Sequence, residues 1–277
     1  MRIAIIGKNG NLGRELTQVL QGHELFLWDR DEIDATNGLD VLAKINEAKP
    51  QIVFNCAAYT NVDKAEEDYA SAELLNGRAA GFIAKACKGI GAVVVHFSTG
   101  MVFIGTDANG YNEDSVPEPV NAYGKTKLVG EQEVLRNTEN YYLIRTEWLY
   151  AKPEYGGKKS FNEIILELAA TKPAIQGVED EVGRPTWAKD LAGAVVDLVL
   201  SKHPFGIYHI TNSGQASRYE WAKEILKISE ISTSVEPVPG SLFPRPAKRP
   251  MYELLNNTKL PELRSWQEAL QEYLKEK

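Results

Sequence analysis

The first half of the chain alternates short apolar runs with longer amphipathic stretches. RIAII (2–6), ELFLW (24–28), QIVFN (51–55), AVVVHFS (92–98) and YYLIRT (141–146) are rich in β-branched and aromatic residues and run apolar almost without alternation. Such a run is covered on both faces, as strands of a parallel sheet are. The stretches between them, notably 12–20, 70–91 and 123–135, carry apolar residues at helical spacing, the last with a charged outer face. Each parallel crossover needs a connecting helix, so the alternation predicts an α/β fold with helices on both faces of a parallel sheet. No internal repeat is visible.

After about residue 150 the texture changes. KPEYGGKK (152–159) reads as a loop, 161–170 as a helix, 235–250 as a proline-rich ordered loop on the substrate side, and 260–275 as a closing helical pattern. PTWAKDLAGAVVDLVL followed by GIYHIT reads as one more helix and strand returning to the first sheet. The expected organisation is a nucleotide-binding domain over 1–150 with a return segment near 186–212. A smaller, discontinuous substrate-binding lobe takes most of 151–277.

Composition narrows the function. Of 277 residues 43% are hydrophobic, enough for a substantial core. The net charge is -7, and the 31 Lys and Arg are interspersed with 38 Asp and Glu, which argues against nucleic acid or an anionic membrane as partner. Cys56 and Cys87 lie in no CxxC or Cys/His cluster, so neither a disulfide framework nor a zinc site is expected, and a reducing cytoplasm fits. Met1 leads directly into an apolar run without a basic n-region, and no stretch approaches the roughly 18 apolar residues of a membrane span, so a soluble, unprocessed chain is expected.

Two motifs carry chemistry. GKNGNLG places Gly7, Gly10 and Gly13 after the first strand and at the head of a helix. Glycines there let a dinucleotide's pyrophosphate approach backbone N–H groups at the positive helix end, which makes the sheet a Rossmann-type, doubly wound one. At the end of the second strand Asp29 can accept from ribose hydroxyls, favouring NADH, whereas Arg30 can hold a 2′-phosphate, favouring NADPH; a solvated charged turn would look the same. In NAYGKTKLVGE, Tyr123 and Lys127 share one helix face. An adjacent ammonium is expected to stabilise the phenolate, so that Tyr123 exchanges a proton with a carbonyl while Lys127 holds the nicotinamide ribose. Trp148, in RTEWLY, reads equally as a ligand-stacking ring or as core. Arg245, Lys248 and Arg249, in SLFPRPAKRP, read as a diphosphate clamp or a solvated basic loop. His96 and His209 lie in apolar strands and read as hydrogen-bonded core imidazoles.

Taken together, GKNGNLGREL, VFNCAAYTNVDKAE, LLNGRAAGFIAKAC, HFSTGMVFIG, NAYGKTKLVGE, RTEWLY, GRPTWAKDLA, GIYHI and AKRP make the chain resemble the dTDP-4-dehydrorhamnose reductase family of the extended short-chain dehydrogenase/reductase superfamily, from Gly7 to Pro250. The resemblance implies NAD(P)H-dependent reduction of the C4 ketone of dTDP-4-dehydro-L-rhamnose. It implies that Gly10, Asn11 and Leu12 meet the cofactor phosphates and that Asp29, Asp34 and Ala35 face the adenosine end. Ala58, Tyr59, Thr60 and Phe97 would line the cofactor, Thr99 would bind the substrate carbonyl, and Trp148 would border the sugar or base. A homodimer is an expected assembly.

The chain departs from the resemblance at three places. Gly100 and Met101 stand where an acidic and an aromatic or acidic residue usually follow Ser-Thr, which predicts a larger, more apolar pocket at those substrate-binding positions. Glu253 replaces a small hydroxyl residue and is expected near the diphosphate. Lys189 stands where some members have a second acidic ligand opposite Glu15, so no required metal is expected. Two alternatives follow: a carbonyl reductase of the same fold acting on a less polar ketone, and a non-catalytic, cofactor-binding regulatory subunit.

Overall fold

In the computed structural model, which describes residues 1–153 and 159–276, six parallel strands form the central sheet. They are β1 (Arg2–Ile6), β2 (Glu24–Trp28), β3 (Ile52–Asn55), β4 (Val93–Thr99), β5 (Tyr141–Thr146) and β10 (Gly206–His209), in the spatial order β10-β5-β4-β3-β1-β2. The order reverses at β1, between β3 and β2, and ligands of open α/β sheets bind beyond the carboxyl ends of the strands at such a switch point.

Helices cover both faces, as the doubly apolar strands require. Ile3 and Ile5 of β1 point to α1 (Asn11–Val19) and α8 (Ala188–Leu200), through Leu16 and Val195; Ala4 and Ile6 point the other way, to α2 (Gly38–Ala48) and α5 (Ala79–Ile90), through Val41 and Ile83. The period of two along the strand divides these sets, and each fully buried aliphatic side chain contributes roughly 1.5–3 kcal/mol. α3 (Lys64–Glu67), α4 (Tyr69–Glu73) and α6 (Ala122–Asn137) complete this half.

The remaining elements gather around a second core of Tyr150, Trp187, Trp221, Trp266 and Tyr273. They comprise α7 (Phe161–Thr171), α9 (Arg218–Ile228), α10 (Trp266–Lys275) and three two-stranded pairings. β6 (Leu149–Tyr150) pairs with β9 (Thr186–Trp187), β7 (Ala174–Val178) with β12 (Ser234–Val238), and β8 (Val182–Gly183) with β11 (Ala216–Ser217).

Two expectations are corrected here and a third, helical as expected, is refined. The proline-rich segment begins as strand β12 rather than loop: in a two-stranded pairing Pro237 sits at an edge, where a missing N–H costs little. The last helix starts at Trp266, not at 260, because Ser265 and Glu268 form a capping box that fixes its first turn. The stretch 70–91 is α4 and α5 joined by a π-helical turn at Leu74–Arg78. Of the loop expected at 152–159, residues 154–158 lie outside the described residues.

Candidate active site

The glycine turn follows from packing. Gly7 takes φ 86°, its N–H donates to the Trp28 carbonyl at 2.8 Å, and a Cβ on it would stand 2.8 Å from the Ala57 nitrogen. Gly13, inside α1, faces the Gly7 carbonyl so closely that a Cβ would lie 2.2 Å from that oxygen. No side chain fits at either place. Gly10 is the N-cap of α1 and brings no side-chain bond to it, so the first turn, with Asn11 and Leu12, keeps its N–H groups and positive end for a ligand.

This turn opens onto a cleft of about 770 Å³, lined among others by Gly7, Gly10, Asp29, Arg30, Asp34, Ala35 and Ala58. Size, glycine cradle and helix end together fit a nicotinamide dinucleotide. Asp29 also builds the turn, accepting from the N–H groups of Asn9 (3.0 Å) and Arg30 (2.9 Å). Asp34 accepts from the Thr36 N–H and hydroxyl, and these bonds hold it below the usual carboxylate range. Beyond β3, the N–H of Tyr59 donates to Asn76, which the π-helical turn presents, and Thr60 is exposed.

At the next strand, β4 ends in Thr99 and α6 begins beside it. Asn121 caps α6 by accepting from the Gly124 N–H (2.7 Å), and the Ala122 N–H donates to Glu66 (2.8 Å), so the turn bearing Tyr123 is held from two sides. A Cβ on Gly124 would stand 2.1 Å from the Met101 carbonyl oxygen, which is how α6 reaches the strand end. Tyr123 packs with Tyr59 around Ala65, Ala72 and Ala122.

Lys127 is buried, and its ammonium donates to the Phe97 carbonyl at 2.6 Å. Burial pushes it down to about 8, opposed by Glu131 and then Cys56. The expected effect of Lys127 on the phenol is corrected: burial pushes Tyr123 well up, the Glu253 carboxylate adds to that push, and the Thr99 hydroxyl is what pulls it down. Glu131 is itself anchored by the Ser98 hydroxyl (2.5 Å) and by Nε and Nη2 of Arg145 (2.9 and 2.7 Å).

The pocket beside Thr99 differs from expectation. The room next to Gly100 is filled by Glu253, whose Cγ would lie 2.7 Å from a Cβ at that position, so the pocket there is neither larger nor more apolar. Glu253 stands against the strand end: Thr99 donates to it at 3.3 Å and the Trp148 indole at 3.1 Å. Trp148 holds φ 46°, which non-glycine residues seldom adopt, and its ring lies so close to Gly183 that a Cβ there would meet it at 2.4 Å. The Arg218 guanidinium sits 3.6 Å from the Trp148 ring centroid, and burial lowers it to about 10 against the pull of Glu253. Met101 sits with its N–H on Thr99 at 3.2 Å.

The two arginines turn elsewhere. Arg245 pairs with Glu181, while Arg249 reaches Asp63 at 2.8 Å and, against the upward push of burial, holds that carboxyl below its usual range. Lys189 pairs with Glu272 (3.1 Å) and with Glu276. His96 faces Asn55 at 3.1 Å, and His209 meets the Asn256 carbonyl at 3.0 Å. Sequence reasoning missed Asn76, Arg218 and Glu131; a lone asparagine, an arginine after Ser217 and a glutamate inside a helix carry no local signal.

A glycine cradle at the switch point, with Thr99, Tyr123 and Lys127 at the neighbouring strand end, defines the class: a Rossmann-fold short-chain dehydrogenase/reductase. Within it, the family described as RmlD substrate binding domain matches residues 1–277, and the chain belongs to that family. It is 37% identical to the spore coat polysaccharide biosynthesis protein SpsK of Bacillus subtilis over 100% of this chain and 98% of that protein. It is 38% identical to a dTDP-4-dehydrorhamnose reductase of Mycolicibacterium smegmatis, over 98% of this chain and 84% of that one. A solved dTDP-4-dehydrorhamnose reductase of Bacillus anthracis in complex with NADP superposes with a TM-score of 0.94 at 33% identity, covering 100% of this chain and 99% of that one.

Proposed function

We propose that the chain is an NADPH-dependent reductase of a dTDP-4-keto sugar, acting as a dTDP-4-dehydrorhamnose reductase. The observation that carries this reading is the convergence of Thr99, Tyr123 and the buried Lys127 at the carboxyl end of β4, beside a dinucleotide-sized cleft. Family membership and the NADP-bound relative support it.

In this reading the α1 N-terminus with Gly10, Asn11 and Leu12 takes the pyrophosphate, and Asp29, Arg30, Asp34 and Ala35 take the adenosine end. Ala58, Tyr59, Thr60 and Phe97 flank the nicotinamide half. The dinucleotide, when bound, supplies the hydride. Thr99 donates to the substrate carbonyl, Tyr123 delivers the proton to the oxygen that becomes the alcohol, and Lys127 holds the ribose. Its ammonium is kept by Glu131 and anchored on the Phe97 carbonyl. Trp148, Gly100 and Met101 border the sugar, and Arg245 and Arg249 reach the diphosphate by leaving Glu181 and Asp63.

As assembly we propose a homodimer, which sedimentation velocity checks; a monomer at micromolar concentration would exclude it. As compartment we propose the cytoplasm, because Cys56 and Cys87 are free and burial pushes both thiols up, the mark of unreactive reduced cysteines. No helix among the described residues is long and apolar enough to cross a membrane. The test of the activity is NADPH oxidation with dTDP-4-dehydro-L-rhamnose, and turnover of simple ketones alone would favour a carbonyl reductase instead.

A further inference from the structure

Gly100 and Glu253 share one volume. Gly100 is buried, and a Cβ there would lie 2.7 Å from Glu253 Cγ and 3.3 Å from both its backbone oxygen and Oε1. Any larger residue at 100 would therefore need the room that the glutamate takes. The glutamate is only 4% exposed, and its two direct hydrogen bonds come from neutral donors: the Thr99 hydroxyl on Oε1 and the Trp148 indole on Oε2. An ionised carboxylate offers about four lone-pair sites, so acceptor capacity remains beyond these two bonds. Burying it with so few donors is costly unless a ligand adds another. Around it stand Arg218 on α9 and Arg249 on the C-terminal loop, with Glu147 after β5 and Tyr123 on α6 as the other titratable neighbours.

We propose that Glu253 is a specificity-determining residue of the substrate pocket, acting as a pair with Gly100: it positions the Trp148 indole and accepts a hydrogen bond from a hydroxyl of a polyhydroxylated ketone, which takes the place of the Thr99 hydroxyl as that turns to the substrate carbonyl. This rests on the reductase reading above. It predicts a preference for hydroxylated over plain ketones, and it makes positions 100 and 253 interdependent. Aspartate at 100 collides with Glu253, whereas aspartate at 100 with serine at 253 puts a carboxylate back into the same volume.

The test compares wild type, Gly100→Asp, Glu253→Ser and the double variant for NADPH oxidation with the dTDP-keto sugar and with a simple alkyl ketone. NADPH affinity is followed by fluorescence. Glu253→Ser lowers kcat/KM for the keto sugar roughly ten- to a hundredfold, the worth of a charge-assisted hydrogen bond, with a smaller loss on the plain ketone. Gly100→Asp alone loses activity, the double variant regains most of it, and NADPH affinity holds because neither residue lines the cleft at the glycine turn. Unchanged selectivity in Glu253→Ser, or a double variant no better than the product of the singles, overturns the proposal.

Should Glu253→Ser not fold, the isosteric Glu253→Gln carries the test. Burial raises the Glu253 carboxyl to about 7, opposed by Arg218, Trp148, Thr99 and Arg249, so it ionises as pH rises through that value. Wild-type kcat/KM for the keto sugar then rises through about pH 7, and Glu253→Gln lacks this limb. A wild type inactive with both ketones contradicts the reductase reading, whereas an active wild type whose Glu253 variants keep their selectivity and pH profile contradicts this inference alone.

Discussion

At Tyr123 the protein holds a proton firmly: burial and Glu253 both oppose ionisation, and only Thr99 favours it. A phenol so placed is suited to give its proton to an oxygen that gains charge as hydride arrives. Tyr123→Phe is expected to lower kcat by about 10²–10⁴-fold while NADPH still binds, which a fluorescence titration beside the rate assay would show. Lys127 sets a second limb. Its folded value, about 8, lies below the ordinary 10.5, so its ammonium is lost as pH rises through about 8. The kcat/KM value, which follows the free enzyme, is expected to fall there, and a pH profile of kcat/KM flat up to pH 10 would contradict it. Tyr123 and Lys127 were legible in sequence because four positions on a helix share a face. Glu253 stood out in the sequence only as a departure expected near the diphosphate; its place at Thr99 was not legible, because it comes from 154 positions away and only the path of the C-terminal loop brings the two together.

At the level of elements, the site depends on how helices begin. Asn121 caps α6 one residue before the turn that carries Tyr123, so Asn121→Ala is expected to cost about 1 kcal/mol of stability and to lower kcat more than NADPH affinity. Thermal melts with kinetics would separate the two effects. Gly13→Ala acts at the other helix start, where the added Cβ would stand 2.2 Å from the Gly7 carbonyl. NADPH affinity is expected to fall in that variant, and an unaltered affinity would mean that the turn is not the phosphate site. Strands β1 to β5 and the glycine turn were readable because doubly buried strands leave continuous apolar runs. The π-helical turn at Leu74–Arg78 and strand β12 were not, since one extra residue in a helical turn and an edge strand holding a proline leave the periodicity almost unchanged.

Across the whole molecule, two cores meet around a polar seam. Inside the first half, Ser98, Glu131 and Arg145 join β4, α6 and β5 through a buried ion pair at 2.7 Å. Removing one partner leaves a buried charge alone, so Arg145→Met is expected to cost about 3–5 kcal/mol, readable as a lower urea midpoint. Arg249 with Asp63, and Glu253 with Thr99 and Trp148, tie the C-terminal loop to the strand ends of the sheet. Hydride and proton transfer are therefore expected where these parts converge. The most direct test is steady-state NADPH oxidation with dTDP-4-dehydro-L-rhamnose by wild type and Tyr123→Phe. Turnover by wild type, with the dTDP-linked alcohol as product and loss of turnover in the variant, is the predicted result; no keto-sugar-dependent oxidation by wild type, or full activity without the phenol, would contradict it.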